Sequence, residues 1–191
     1  MEFDTIDDGL TVKAEPRFAN FGNRLVAHIL DMILVFAVSY IMSLFLPTAT
    51  DFTFAAAVGI LGMLYKPVME AMNGAAVGKM VMKLKVVANE DGQVSWMQAF
   101  MRYIPWFIGG GIGLWFQYEM MNIPGLTEGM DPTAQGELMM EWFGANVSLL
   151  LIVLGGTLLP LISTLVMLGN KRNQSAHDIL AETYVVHTKP A

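Results

Sequence analysis

Arg24, His28 and Asp31 stand four and three positions apart in an otherwise apolar stretch. On a helix this spacing puts all three on one stripe. Asp31 then lies about 10 Å further along than Arg24, at 1.5 Å of rise per residue. An ionised Asp near the centre of a membrane span costs on the order of 2.5–3.5 kcal/mol on insertion scales. Arg24 reduces that cost by pairing, and a guanidinium can grip a carboxylate with two hydrogen bonds. A second acid, Asp178, follows His177 beyond the last apolar stretch. It can meet Arg24 or complete a charged cluster with Asp31. Desolvation and a neighbouring Arg pull the proton affinity of such an acid in opposite directions, the tuning that a proton or cation relay needs. The same three groups serve equally as a charge clasp that fixes the first segment against the last.

The two histidines add little alone. His28 reads as a polar member of the stripe, and His177 as part of the clasp or a helix cap. His28, Asp31, His177 and Asp178 have no metal-ligand spacing within one segment, so no metal is expected. The chain has no cysteine, which excludes disulfides, thiolate nucleophiles and Cys-based metal sites. There is no nucleophile–base pair and no phosphate-binding loop, so neither an enzyme nor a cofactor is expected.

The elements that must position these residues are membrane helices. The chain is 54% hydrophobic and 15% charged, against roughly 25% charged in a soluble domain. Its eleven Lys and Arg fall in three places. Lys13, Arg17 and Arg24 precede or open the first apolar segment. Lys66, Lys79, Lys83, Lys85 and Arg102 surround the join between the second and third. Lys171, Arg172 and Lys189 follow the fourth. The other two connections, residues 47–51 and 119–141, carry no basic residue. Cytoplasmic loops collect Lys and Arg, so the pattern predicts four spans with both termini cytoplasmic. The first twenty residues are polar and acidic, unlike a cleavable signal peptide. The expected location is the cytoplasmic (inner) membrane. The basic residues hug the membrane, so nucleic acid is not an expected partner.

The predicted fold is an all-α membrane bundle. Its spans cover about residues 24–46, 52–72, 97–118 and 142–169, each near the roughly 20 residues that cross a hydrocarbon core. Residues 1–20 read as a disordered or loosely surface-bound acidic tail, and 21–187 as the membrane domain. Pro47 ends the first span. Lys66 and Glu70 read as a local i,i+4 pair at the inner end of the second, with a place in the charged cluster as the lesser alternative. Residues 74–91 read as an interfacial elbow whose Lys79, Lys83 and Lys85 face anionic lipid headgroups, with a turn at Asn-Glu-Asp-Gly. In the third span Gly109 and Gly113 have G-x-x-x-G spacing, read as a tight helix contact. Trp96 and Tyr103 at one end, and Trp115 and Tyr118 at the other, read as interfacial anchors. Residues 119–141 read as a solvated outer connection. Residues 142–170 are free of charge and form the clearest span, with Pro160 predicting a kink. Residues 173–187 form a cytoplasmic segment able to pack on the membrane face. No internal repeat is evident.

Three stretches carry a family resemblance. Arg24-Leu25-Val26-Ala27-His28-Ile29-Leu30-Asp31 resembles the first signature of the RDD family, bacterial multi-span membrane proteins named for one Arg and two Asp. Gly78-Lys79-Met80-Val81-Met82-Lys83-Leu84-Lys85-Val86-Val87 resembles its central basic segment. Lys171-Arg172-Asn173-Gln174-Ser175-Ala176-His177-Asp178-Ile179-Leu180-Ala181 resembles its C-terminal signature. The resemblance covers roughly residues 17–187 and implies that Arg24, Asp31 and Asp178 are the named trio. Ala75 and Ala76 stand where the family usually has a polar pair. The resemblance implies a transporter, some members being associated with cation–proton exchange. Two functions stay open: a small transporter for a monovalent cation or small solute, and an accessory membrane protein whose charges fix helix packing. Four spans leave little room for a pathway, so a homo-oligomer or a membrane protein partner is expected beside the lipid bilayer.

Overall fold

Apolar runs with few internal charges become long helices, and the computed structural model contains them in sequence order. It describes residues 3–5, 11–13, 17–45, 52–88, 92–127 and 129–188. Helix α1 is Phe21–Phe45 and α2 is Phe52–Asn73. Pro47 and the Asn-Glu-Asp of the expected turn lie outside the described residues. Helices α1, α2 and the stretch Val147–Gly169 are long and apolar enough to cross a membrane. Their side chains face outward in a way a soluble bundle does not tolerate: Phe36 is 73% and Phe45 77% exposed. Such a surface needs lipid against it.

The third apolar stretch is two helices rather than one. Helix α4, Trp96–Arg102, starts at a Ser95 capping box with Gln98. It stops at Tyr103, and α5, Ile104–Met121, begins with Pro105 in its first turn. Proline has no N–H to continue the preceding helix, so the chain breaks and redirects there. The fourth stretch also divides. Helix α6, Pro132–Ala145, includes Trp142, and after a break at Asn146 helix α7 runs Val147–Leu165 before a 3₁₀ turn, Val166–Gly169. The expected solvated connection is therefore largely helical from Pro132 onward. Asp131 caps it by accepting from the Thr133 and Ala134 amides at 2.9 and 3.3 Å.

Helices α1 and α5 lead away from one end of the molecule, and α2 and α7 return to it. Side chains from the first turns of α1, the last turns of α2, the start of α5 and the end of α7 all meet there. At the far end Phe52 and Tyr118 pack edge to face, with ring centroids 5.2 Å apart. Helix α5 packs on α7 and α2. A Cβ on Gly109 would come within 2.6 Å of the Gly156 carbonyl, and one on Gly110 would overlap Met63. The close helix contact thus uses Gly109, Gly110 and Gly156. Gly113 faces open space within 4 Å, so the G-x-x-x-G spacing is not what is packed.

The elbow and the C-terminal segment contain strands. Helix α3 (Val77–Val81) leads to β3 (Leu84–Ala88), and α8 (Ala176–Leu180) leads to β4 (Thr183–His187). The two strands pair antiparallel, Leu84 opposite His187 and Val86 opposite Val185. Residues 17–19 join the other edge of β4: Ala19 donates to Val185 at 2.9 Å, and His187 to Arg17 at 3.0 Å. This part of the N-terminal tail is therefore sheet, not a loose end. Further upstream, β1 (Phe3–Thr5) pairs with β2 (Thr11–Lys13). The buried apolar core also lies here, built from Ala19, Ala27, Leu84, Val86, Val94, Ala99 and Val185.

The two helix–strand units are copies of one backbone shape. Each begins at an extended residue, Ala76 or Ser175, with φ −75° and ψ 165° or φ −74° and ψ 166°. Each turns into its strand through a left-handed non-glycine residue, Lys83 or Glu182, both at φ 53°. Val86 and Val185 are the middle residues of their strands and face each other, so the strand pair is locally two-fold symmetric. A repeat therefore exists in the backbone, where the residue types had shown none.

Candidate functional site

The helix ends and the two helix–strand units converge on a buried group of charges. Arg24, in the first turns of α1, ion-pairs with Asp178 of α8 and donates to the Asn173 carbonyl at 2.7 Å. Arg102, at the end of α4, reaches the other Asp178 oxygen at 2.8 Å and Glu70 of α2 at 3.2 Å. These two Arg102 contacts are ion pairs without hydrogen-bond alignment. The Arg102 guanidinium also donates to Thr183 at 2.8 Å. Glu70 in turn pairs with Lys79 of α3 and accepts from the Tyr103 hydroxyl at 2.7 Å. The chain Arg24–Asp178–Arg102–Glu70–Lys79 therefore ties five elements together. Asp178 and Glu70 are fully buried, and Arg102 is 2% exposed.

Asp178 holds its place through its own backbone as well. It accepts from the Ser175 amide at 3.1 Å, completing the capping box of α8. Burial, the largest influence, pushes its carboxyl up, but Arg102 and Arg24 outweigh it and hold it well below the usual carboxylate range. His177 sits between two hydroxyls, Nδ1 at 2.9 Å from Ser163 Oγ and Nε2 at 2.8 Å from Ser175 Oγ. Trp106 meets its ring edge to face at 4.8 Å. Burial pushes the imidazole down to about 3 against the pull of Asp178, so it is neutral at physiological pH. Burial also pushes the Tyr103 phenol well up, which keeps it a donor to Glu70.

Asp31 occupies a second, adjoining pocket. One oxygen accepts from the Gly78 amide at 2.7 Å and from the Tyr65 hydroxyl at 3.3 Å. The other faces the Lys66 ammonium at 3.3 Å. Lys66 Nζ also lies 2.8 Å from His28 Nδ1. Tyr65 accepts from the Val77 amide at 3.0 Å. The carboxylate thus meets the first turn of α3, where amides lack helical partners. Only glycine fits at position 78, because a Cβ there would collide with the Ala27 carbonyl and lie 2.9 Å from Asp31 Cγ.

Several sequence expectations change. Arg24 pairs with Asp178, not with Asp31, because Asn173 and α8 bring the second acid to it while α3 and Lys66 occupy Asp31. Lys66 and Glu70 do not form a local pair; each turns to a different neighbour. Lys79 does not face lipid, since Glu70 would otherwise be buried with less compensation. Lys83 is exposed, and Lys85 is half-buried alongside Gly74. Tyr103 is buried on Glu70 rather than anchored at the interface. Lys66 and Glu70 instead take the lesser alternative and join the charged groups, while Arg102 and Tyr65 carry no sequence expectation as site residues. The signal for Glu70 was an acid in the last turns of an apolar segment, which needs a cation from elsewhere.

The chain belongs to the RDD family, whose family model matches residues 18–182. No curated protein and no solved structure matches it. The family's membrane character agrees with the apolar helices, and the Arg24, Asp31 and Asp178 of the resemblance all lie in the buried charge group.

Proposed function

We propose that this protein is a four-span transporter of the cytoplasmic membrane that exchanges a monovalent cation for a proton across the Asp31 pocket. Helix α5 is the added span: its 18 residues extend about 27 Å, close to the roughly 30 Å of a hydrocarbon core. The ends gathered at the charge cluster carry the basic residues, which favours placing that end and both termini in the cytoplasm. The observation that carries the reading is Asp31 itself: a carboxylate 1% exposed inside an apolar helix, beside a cation and a neutral ring nitrogen. Intramembrane acids with such neighbours mark ion and proton paths. Lys83, Lys171 and Arg172 on the same end are placed to meet anionic headgroups.

An accessory role is favoured by a different observation, the closed pairing of Arg24, Asp178, Arg102, Glu70 and Lys79. These groups are engaged in ion pairs with one another, which favours a packing role. We therefore assign that chain to packing and the Asp31 pocket to transport, with no enzymatic role. The test is pH-gradient dissipation in proteoliposomes on adding Na⁺, K⁺ or Li⁺. Cation-dependent dissipation in wild type, lost in a well-folded Asp31→Asn variant, is expected. No response from folded wild type in any salt would leave the accessory role.

A further inference from the structure

We infer that Lys66 is the proton carrier of the Asp31 pocket, its ammonium holding the seat that a monovalent cation takes when Lys66 gives up its proton. This rests on the exchange reading above and names the group that couples the two ions. The Lys66 ammonium lies between Asp31 Oδ2 at 3.3 Å and His28 Nδ1 at 2.8 Å, with its side chain 16% exposed. His28 accepts there, so its proton is on Nε2. The Tyr65 hydroxyl lies on the other Asp31 oxygen at 3.3 Å. A carboxylate oxygen and an imidazole lone pair are donors to a small cation, and the ammonium is a tethered cation already seated between them. The titratable and charged groups around it are Asp31 and His28 from α1, Tyr65 and Glu70 from α2, and Lys79 from α3. With a single carboxylate facing Lys66, the pocket balances one positive charge. A second cation cannot enter while Lys66 is charged, because two like charges would share one carboxylate at short range.

The step balances. One Lys66 N–H bond breaks, its proton leaves to water, and the cation binds Asp31 and His28 while Lys66 keeps the freed lone pair. The reverse step on the other side takes up a proton and releases the cation. The pocket carries the same charge before and after, so the exchange is one for one. The Gly78 amide, donating to Asp31 at 2.7 Å, holds the carboxylate in place through the exchange.

The discriminating variant is Lys66→Arg, which keeps the ion pair with Asp31 but cannot release a proton. Lys66→Met is its companion, emptying the seat. Purified protein is titrated with NaCl and LiCl by calorimetry in buffers of different ionisation enthalpy, and the same variants are assayed for flux in proteoliposomes. Wild type should release about one proton per cation bound, the count set by the single ammonium. Lys66→Arg should lose cation binding and coupled flux while remaining folded. Lys66→Met should bind cation without proton release, with tracer cation exchange surviving and pH-gradient dissipation lost. Coupled flux at the wild-type level in folded Lys66→Arg or Lys66→Met would overturn the assignment while leaving cation–proton exchange intact. Absence of cation-dependent flux in wild type itself would overturn both.

Discussion

Arg102→Met removes a side chain that touches both buried acids of the clasp, and its cost can be worked from the geometry. Asp178 keeps Arg24, and Glu70 keeps Lys79 and Tyr103. Neither acid is stranded outright, yet each loses an ion pair inside a region closed to water. Breaking a buried pair by deleting one partner costs about 3–5 kcal/mol. The surviving partners place this case at the lower end, about 3 kcal/mol. For a chain of this size that corresponds to a fall in melting temperature of about 6–12 °C. The assay is intrinsic Trp fluorescence during a thermal ramp in detergent, with Trp106 packed against His177 as a local reporter. Arg172→Met is the control, because Arg172 is exposed. An Arg102→Met protein melting within about 2 °C of wild type, well short of that fall, would refute the claim that these charges hold the bundle end together. So would an equal loss in Arg172→Met.

His177 and Gly78 give two further expectations. His177 is held at about 3 in the folded state against 6.5 when free, so between those pH values the unfolded chain binds the extra proton. Stability contributed by neutral His177 is therefore complete above about 6.5 and falls with falling pH, by about 2–3 kcal/mol at pH 4.5. His177→Gln should flatten that part of the dependence in melting curves at pH 7.5 and 4.5, and equal losses in both proteins would count against a buried neutral imidazole. Gly78→Ala should cost about 1–3 kcal/mol through overpacking and weaken the amide contact to Asp31, whereas Gly113→Ala, facing open space, should be neutral or slightly stabilising. Melting temperatures of the pair decide it.

Much of the scaffold was legible in the residues. The apolar runs placed α1 and α2 within a few positions, and the Lys and Arg map gathered the correct helix ends at one face. Of the two partners left open for Asp178, Arg24 is the one it pairs with, and Asp31 is not. The breaks were harder. Pro105 and Asn146 divide apolar runs whose hydropathy alone looks continuous: Pro105 removes a backbone donor, and Asn146 leaves helical geometry at φ −115° and ψ 34°. The strands were hidden for a different reason. Residues 84–88 and 183–187 are short, and each gains its pairing from a segment nearly half the sequence away. Glu70 and Arg102 were visible as charges near apolar segments, but their partners come from other elements, and no local spacing records that.

The strand pairing also sets an order of assembly. During synthesis Arg24, Lys66, Lys79 and Arg102 are all made before Asp178, and β3 has no partner until β4 emerges. Between the synthesis of Arg102 and that of Asp178 this end therefore holds four cations against Asp31 and Glu70 alone, a positive surplus of the kind that retains loops in the cytoplasm. The arrival of Asp178 and β4 neutralises part of that surplus and zips the sheet in the same event. On the proposed topology, the charges that orient the nascent helices are the ones later locked away. A ribosome that stalls before Asp178 leaves a precursor with an unpaired β3 edge and partly uncompensated charge, features by which quality control can tell it from the finished protein.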